Sequence, residues 1–406
     1  MYWVRKRGDR GTATQREISA PLRGEPLTKA RYLFIDLYRS AVILLMLEGH
    51  VFRALLPSDI QQTVVFQIHE LFHGISAPAF LFGAGLTFVI STRRRWEEYH
   101  HWDPPLARRL KRLLLVILLG LAVHLPYFSI RKIIIDGTTG DYLQLFQCDV
   151  LHCIGIGLLA LHALVFFFKT ETRFYGLVLG AILSICFLTP LIWEVDFLNY
   201  LHPSIAQLFN SKHGSPFPLF PFVGFLFAGV IVSWEFLIAA EQKREREFMR
   251  ILLILGAVFI AGGIVFDALP IRIYPTYDFW YTSPNYFIIR IGALMLLTAG
   301  FWHLSRNVVK QRILLTVFGK ESLFVYVLHL PVLYGSAINP EANLQTFLGT
   351  HHDVLQVGGI FVLFALAMLG LALVWNILKE RHYHIYRLVQ IVGSGIFLYY
   401  FFIRDY

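Results

Sequence analysis

Apolar segments long enough to cross a bilayer recur along almost the whole chain, and this pattern limits the fold more than any other feature. We predict eleven spans, at about 32–56, 63–91, 110–128, 149–168, 174–195, 217–240, 251–269, 285–305, 313–335, 353–378 and 387–403. A transmembrane helix needs about 20 mostly apolar residues, and the segments are close to that length. The sequence therefore predicts an all-α, polytopic bundle of about ten or eleven membrane-spanning helices.

Positive charge alternates between the two sides of this predicted bundle. Of the 36 Lys and Arg residues, 27 lie before the first span or in every second connection, five lie in the other connections, and four lie within spans. Connections rich in Lys and Arg stay in the cytoplasm, so we expect a cytoplasmic N-terminus and a multi-pass protein, in a bacterial inner membrane. The net charge of +9 then reflects sidedness and gives no reason to expect a nucleic-acid partner.

The first thirty residues contain no apolar signal segment, and we interpret residues 1–31 as a basic cytoplasmic tail. Its charges include Arg5, Lys6, Arg7 and Arg10. Residues 32–406 are predicted to form a single transmembrane domain. Three cysteines give no disulfide framework.

The first span carries four ionisable residues in an otherwise apolar run: Asp36, Arg39, His50 and Arg53. Arg39 and His50 are eleven residues apart. This is three helical turns plus about 20°, so they share one face and lie about 16 Å apart along the axis. Each such group costs a few kcal/mol in a bilayer, which favours a functional, inward-facing site. The structural alternative is a buried ion pair of Asp36 and Arg39 that locks helix packing.

Several other predicted spans also carry polar residues at comparable depths. These are His69, Glu70 and His73 in the second span, Asp149 and His152 in the fourth, and Lys320, Glu321, Tyr326 and His329 in the ninth. Polar groups from at least four spans can therefore line one cavity through the bilayer.

Five segments, in order, resemble the transmembrane acyltransferase superfamily. They are RYLFIDLYRSAVILLMLEGHV from Arg31, SAPAFLFGAGLTF (Ser76–Phe88), DVLHCIGIGLLAL (Asp149–Leu161), FPLFPFVGFLFAGV (Phe217–Val230) and GKESLFVYVLHLPV (Gly319–Val332). The spacing Arg39-x10-His50 is that of its carbohydrate O-acyltransferase branch. The chain is most similar to the heparan-α-glucosaminide N-acetyltransferase-like branch. It departs from the family pattern at Ser40, where a Gly is usual, and at His152, where a Gln is usual.

The resemblance implies a bundle that takes an acyl group from cytoplasmic acetyl-CoA and delivers it to a sugar or glycan acceptor across the lipid bilayer. Histidine titrates near neutral pH and can act as a base or carry the acyl group. The catalytic candidates are His50, His69 and His73, with Asp36 orienting Arg39. The family's active histidine precedes the second span, which makes His69 the nearest candidate without excluding His50. Direct transfer and an acyl-histidine intermediate both stay open.

Arginines on the cytoplasmic side are the candidates for holding CoA phosphates, because the guanidinium fork matches phosphate geometry. We assign Arg39 and the two clusters that include Arg93, Arg94, Arg108 and Arg109. The alternative for the clusters is the sidedness rule plus contact with anionic lipid. Tyr326 and His329 resemble the family's Tyr-Val-x-His and complete the cofactor-binding candidates; a helix–helix hydrogen bond is the alternative there.

One motif competes with this interpretation. Residues 69–73 spell H-E-x-x-H, the zinc-protease signature, in which two histidines lie one turn apart. Zinc needs a third protein ligand, for which Glu48, His50, Asp149 and His152 are candidates. None lies in a protease motif, so we favour acyl transfer and assign no metal ligands. An intramembrane zinc protease and a transporter of a polar lipid or metabolite remain the alternative functions, and a homo-oligomer remains open.

Overall fold

The structure, a computed structural model, describes residues 32–124, 130–271, 273–307, 313–335, 339 and 341–403. The predicted basic tail of residues 1–31 lies outside the described residues. Within the described ranges the chain forms eighteen α-helices and no β-strand. In chain order they are α1 (Leu33–Leu55), α2 (Ser58–Gln61), α3 (Val64–His73), α4 (Ser76–Thr92), α5 (Pro104–Val123), α6 (Ile130–Asp136), α7 (Thr139–Leu145), α8 (Val150–Phe167), α9 (Glu171–Glu194), α10 (Pro203–Ala206), α11 (Leu219–Glu241), α12 (Glu245–Ala268), α13 (Pro284–Asn307), α14 (Ile313–Lys320), α15 (Ser322–Tyr334), α16 (Leu344–Leu348), α17 (Val354–Arg381) and α18 (Tyr383–Phe402).

The long helices confirm the predicted all-α, polytopic membrane bundle. In the described part of the chain, eight helical segments are long and apolar enough to cross a membrane: the continuous α3–α4 segment, α8, α9, α11, α12, α13, α17 and α18. The other three predicted spans correspond to α1, α5 and the α14–α15 pair. Both α1 and the first turns of α5 carry more charge than an ordinary lipid-facing helix. The polar residues of these segments need a protein or water environment.

Two of the spans are interrupted where polar residues concentrate. The second span changes from α3 to α4 at Gly74 and Ile75, immediately after His73. The ninth changes from α14 to α15 at Glu321, which has φ −106° and ψ 28°. Backbone groups near such a break need partners because a bilayer offers no water. The amide of Gly319 donates to Ser40 Oγ at 2.8 Å, so α1 supplies one of these partners.

The third span begins earlier than its apolar run predicts. Helix α5 starts at Pro104 rather than near residue 110. Proline suits this first position because an N–H there would have no partner within the helix. Arg108 and Arg109 therefore lie on the helix itself. The apolar pattern placed the boundary too late because charged residues at a membrane interface can be helical without being buried.

Helix α1 is the central element of the bundle. It packs against α3, α4, α13, α14, α15, α16 and α17, and one hydrophobic cluster joins buried residues from Phe34 to Ala372. By contrast, α18 buries none of its described side chains and presents apolar residues to its surroundings. Because α1 is surrounded by other helices, its ionisable residues can be kept away from lipid.

One end of the bundle gathers basic residues, and we call it the basic end. Here Arg93, just after α4, pairs with Glu171 at the start of α9 and with Glu241 at the end of α11, at 3.5 and 3.3 Å. Trp96 donates to the carbonyl of Lys169, just after α8, at 3.1 Å. The start of α1 lies at this end too, since the rings of Tyr32 and Phe236 are 5.2 Å apart.

Candidate functional site at the seam between α1 and α15

Arg39 and His50, which the sequence places on one face of α1, both contact α15. Near the basic end, Arg39 Nη2 donates to Ser322 Oγ at 2.5 Å. About 16 Å farther along the axis, His50 Nδ1 lies 3.3 Å from Tyr334 Oη, at the other end of α15. The structure therefore brings Arg39 and His50 to the same surface, which we call the seam between α1 and α15.

The space beside Arg39 is small. A cavity of about 10 Å³ is lined by Tyr38, Arg39, Val42, Ala79 and Phe80. That volume is about the size of a single water molecule. The Phe80 ring is also 6.1 Å from the ring of Tyr326, in the middle of α15.

His50 sits among aromatic and imidazole rings at the far end of the seam. Its ring centroid is 5.0 Å from that of His329, and the Tyr334 hydroxyl donates to the His50 carbonyl at 3.1 Å. His329 is fully buried, and its Nδ1 lies 3.1 Å from the carbonyl of Val325. Its Nε2 is buried without a hydrogen-bond partner among the described residues. A buried, unpaired nitrogen costs free energy unless something in the functional cycle satisfies it.

A second buried group extends the seam toward α8. Tyr326 Oη donates to Asp149 Oδ2 at 3.3 Å, and Asp149 Oδ1 lies 2.7 Å from His152 Nδ1. His124 Nε2, at the end of α5, is 3.6 Å from the same carboxylate. Asp149 also caps α8 through the amide of His152, so the local helix start fixes the carboxylate where the tyrosine reaches it. The polar layer thus runs from His50 through His329 and Tyr326 to Asp149.

The remaining histidine candidates lie on α3 and contact Glu48 of α1. Glu48 accepts from His69 Nε2 at 2.7 Å and from His73 Nε2 at 2.5 Å. Residues 48 and 50 are about 200° apart around a helix, so this cluster and His50 point in different directions. The His73 ring lies against the α1 backbone at Gly49, where a Cβ would come within 2.0 Å of it. His50 therefore contacts α15, whereas His69 and His73 contact Glu48.

The geometry of the H-E-x-x-H motif is unlike that of a zinc protease. Glu70, which would be the base, binds the guanidinium of Arg53, with Arg53 Nε 3.1 and 3.0 Å from its two oxygens. Both oxygens of this carboxylate are thus engaged by a neighbouring cation. Of the four third-ligand candidates, only Glu48 reaches the two histidines; His50, Asp149 and His152 have the other contacts described above.

The candidate CoA ligands at the basic end differ in their availability. Arg93 is engaged by two carboxylates and lies over the Trp234 ring at 5.0 Å, while Arg109 Nη2 donates to Ser91 Oγ at 3.1 Å. Arg94 and Arg108 are exposed. Asp36 is buried at the start of α1, where its carbonyl comes close to Gly319 of α14.

Sequence reasoning missed three residues of the seam. Ser322 and Tyr334 bind the two ends of the α1 stripe, and His124 reaches Asp149. Ser322 and Tyr334 lie twelve residues apart on a span that is rich in polar groups. This spacing points to partners for Arg39 and His50 only once α1 and α15 are known to be neighbours.

Comparison with known protein families agrees with the resemblance seen in the sequence. The family described as heparan-α-glucosaminide N-acetyltransferase, catalytic, matches residues 31–263, which is more than half of the chain. The chain belongs to this family. The matched segment runs from just before α1 to the second half of α12, so it contains His50, the Glu48 cluster and Asp149. Among curated individual proteins, none matches the chain significantly.

Membership in the heparan-α-glucosaminide N-acetyltransferase family supports a membrane protein of acetyltransferase type. The match ends before α15, so one side of the seam lies outside the matched segment.

Proposed function

We propose that this protein transfers an acetyl or other acyl group from acyl-CoA, bound at the basic end, to a sugar or glycan acceptor at the opposite end. The observation that carries the proposal is the seam, because Arg39 and His50 both contact α15 although they lie about 16 Å apart. It links the basic end to the far half of the bundle through polar groups. The basic end is cytoplasmic in this proposal, which agrees with the positive-inside rule.

Phosphates of CoA are bound by arginines of the basic end. Exposed Arg94 and Arg108 are available for this role, whereas Arg93 and Arg109 already have protein partners. Arg39 lies deeper, at the entrance of the seam, where its fork can bind the inner phosphates. The acyl thioester then extends along the seam past Tyr326 toward His50, which requires α1 and α15 to move apart because the space beside Arg39 holds about one water molecule.

His50 is the histidine that receives the proton. Its imidazole takes a proton from the acceptor hydroxyl or amine as that group attacks the thioester carbonyl, and it returns the proton to the departing CoA sulfur. If the imidazole attacks first, one ring nitrogen bonds the acyl carbon, the C–S bond breaks, and the proton of the other ring nitrogen passes to the CoA sulfur. The acceptor then attacks the acyl carbon, the C–N bond to His50 breaks, and the acceptor's proton returns to the ring. Tyr334 and His329 hold the ring in either case, while Tyr326 with Asp149 borders the path of the acyl group.

The test is the transfer of radiolabelled acetyl from acetyl-CoA, in membranes that contain the protein, to a panel of amino sugars and glycans. We expect His50→Ala to lower transfer by at least about 100-fold, the usual contribution of a general base. The exposed His101→Ala variant is the matched control and should keep wild-type transfer. Unchanged transfer in the His50 variant would contradict the assignment, and the same assay on His69→Ala would show whether the other face of α1 holds the base.

The alternative functions would show in the same membranes. A transporter would move a solute without releasing CoA, and a zinc protease would cleave a membrane peptide in a chelator-sensitive way. The Arg53–Glu70 pair weighs against the protease because it occupies the glutamate that the reaction needs.

A further inference from the structure

The Glu48 cluster contains three side chains that can bind one metal ion. His69 and His73 lie one turn apart on α3, on one face, and Glu48 approaches both from α1. One ligand atom from each residue lies within 4.8 Å of the others. We propose that Glu48, His69 and His73 form a binding site for a divalent transition-metal ion of the zinc class. This inference goes beyond the proposed acyl transfer and uses residues on a different face of α1 from the seam.

The distances suit such an ion after a small rearrangement. Zinc binds nitrogen and carboxylate oxygen at about 2.0–2.2 Å, which places tetrahedral ligand atoms about 3.4 Å apart. The two observed separations from Glu48, 2.7 Å to His69 and 2.5 Å to His73, must each widen by less than about 1 Å. Two imidazoles and one carboxylate are a common ligand set for zinc, whereas calcium and magnesium prefer oxygen ligands.

The surroundings also resemble the outer shell of a metal site. The other nitrogen of His69, Nδ1, is buried and has no hydrogen-bond partner among the described residues, and Glu70 Oε1 is 4.0 Å away. Metal-binding histidines usually direct their second nitrogen at a carboxylate, which fixes the ring orientation. Arg53 holds Glu70 in this position, which gives the Arg53–Glu70 pair a role that the protease interpretation does not.

Two features let an ion reach the site and hold the ligand side chains in position. Glu48 and His69 are about one-fifth and one-quarter exposed, so an ion can reach the ligands, while His73 is buried. Gly49 lets the His73 ring lie directly on α1, because any Cβ there would come within 2.0–2.5 Å of the ring. Three protein ligands leave a fourth position for water, as in zinc sites with an exchangeable ligand.

The test is metal binding by the purified full chain in detergent, with an affinity tag that contains no histidine. After chelator treatment, Co²⁺ is added as a spectroscopic probe and displaced by Zn²⁺, and calorimetry gives the stoichiometry. We expect one Zn²⁺ per chain and the intense visible absorption of low-coordinate Co²⁺. His101→Ala should bind as the wild type does.

Two variants test the assignment without relying on a deletion that can unfold the site. Glu48→Gln keeps the volume of Glu48 but replaces one acceptor oxygen by an NH₂ donor and removes the anionic ligand, and it should weaken Zn²⁺ binding by about 100-fold. Gly49→Ala keeps all three ligands but displaces His73, and it should weaken binding as well. The proposal is overturned if the wild-type chain takes up no Zn²⁺ or Co²⁺, or if folded Glu48→Gln binds with unchanged affinity. Because binding is measured directly, neither result depends on acyl transfer.

Discussion

At the scale of single residues, the side chains of α1 contact different partner helices according to the face they occupy. Arg39 and His50 face α15, and Glu48 faces α3. The division follows from helix geometry, because residues two apart point about 200° away from each other. A substitution at residue 50 and one at residue 48 are therefore expected to affect different properties of the protein.

Arg39 gives the sharpest residue-scale prediction for the donor. Arg39→Ala should raise the KM for acetyl-CoA by about tenfold or more, because a charge-assisted hydrogen bond to phosphate contributes about 1.5–3 kcal/mol. Arg39→Lys should recover only part of the loss, since lysine lacks the planar fork. Steady-state kinetics with Arg246→Ala, an exposed arginine of α12, provides the control. A KM in Arg39→Ala equal to that of the control would place CoA elsewhere.

At the scale of elements, close contact between α4 and α11 holds the second span in place behind the site. A Cβ at Gly85 would lie 2.0 Å from the carbonyl oxygen of Leu226, and one at Gly229 would lie 2.1 Å from that of Phe82. Ser233 Oγ donates to the Leu86 carbonyl at 2.9 Å in the same interface. Small residues allow the two helices to approach this closely. In a bilayer there is no hydrophobic driving force between helices, and close van der Waals packing drives their association instead.

Gly85→Ala should therefore destabilise the bundle. The methyl group would have to displace backbone, and such overpacking costs about 1–3 kcal/mol or more. The measurement is the Tm of purified protein in detergent, compared with Gly180→Ala, where, among the described residues, the added carbon has no neighbour within 4 Å outside its own stretch of helix. A fall in Tm for the first variant with no change in the second is expected; equal Tm values would mean that the two helices are farther apart than described.

The sequence predicted the spans well because apolar periodicity and length are local properties. It also placed Arg39 and His50 on one face, since a single helix determines that relationship. It could not show that Ser322 and Tyr334 complete the seam, because partner choice among apolar helices depends on tertiary packing. For the same reason it could not show that His50 contacts Tyr334 while His69 and His73 contact Glu48.

At the scale of the whole molecule, the two ends of the bundle differ in charge, and the proposed reaction depends on that difference. The basic end holds Arg93, Arg94 and Arg108, and the seam leads away from it. Acyl-CoA, the proposed donor, does not cross membranes and must therefore bind the protein from one side only. The proposed mechanism thus depends on the orientation of the protein in the membrane.

We predict that the basic end faces the cytoplasm. Cysteine labelling tests it with little background, because Cys148, Cys153 and Cys186 are all buried. His101→Cys, at the basic end, should react with a membrane-impermeant maleimide only after cells are permeabilised. Tyr200→Cys, on an exposed loop after α9, should react in intact cells. The reverse pattern would invert the proposed path of the acyl group.

The most direct test of the seam is vectorial transfer in sealed proteoliposomes. Labelled acetyl-CoA is supplied outside, where it reaches only molecules whose basic end faces outward, and an acceptor that supports transfer in membranes is enclosed within. We predict acetylated acceptor inside the vesicles with wild-type protein and with His101→Ala, and essentially none with His50→Ala. Product formed only when donor and acceptor share one compartment, or formed equally by the His50 variant, would contradict a transfer path along α1 and α15.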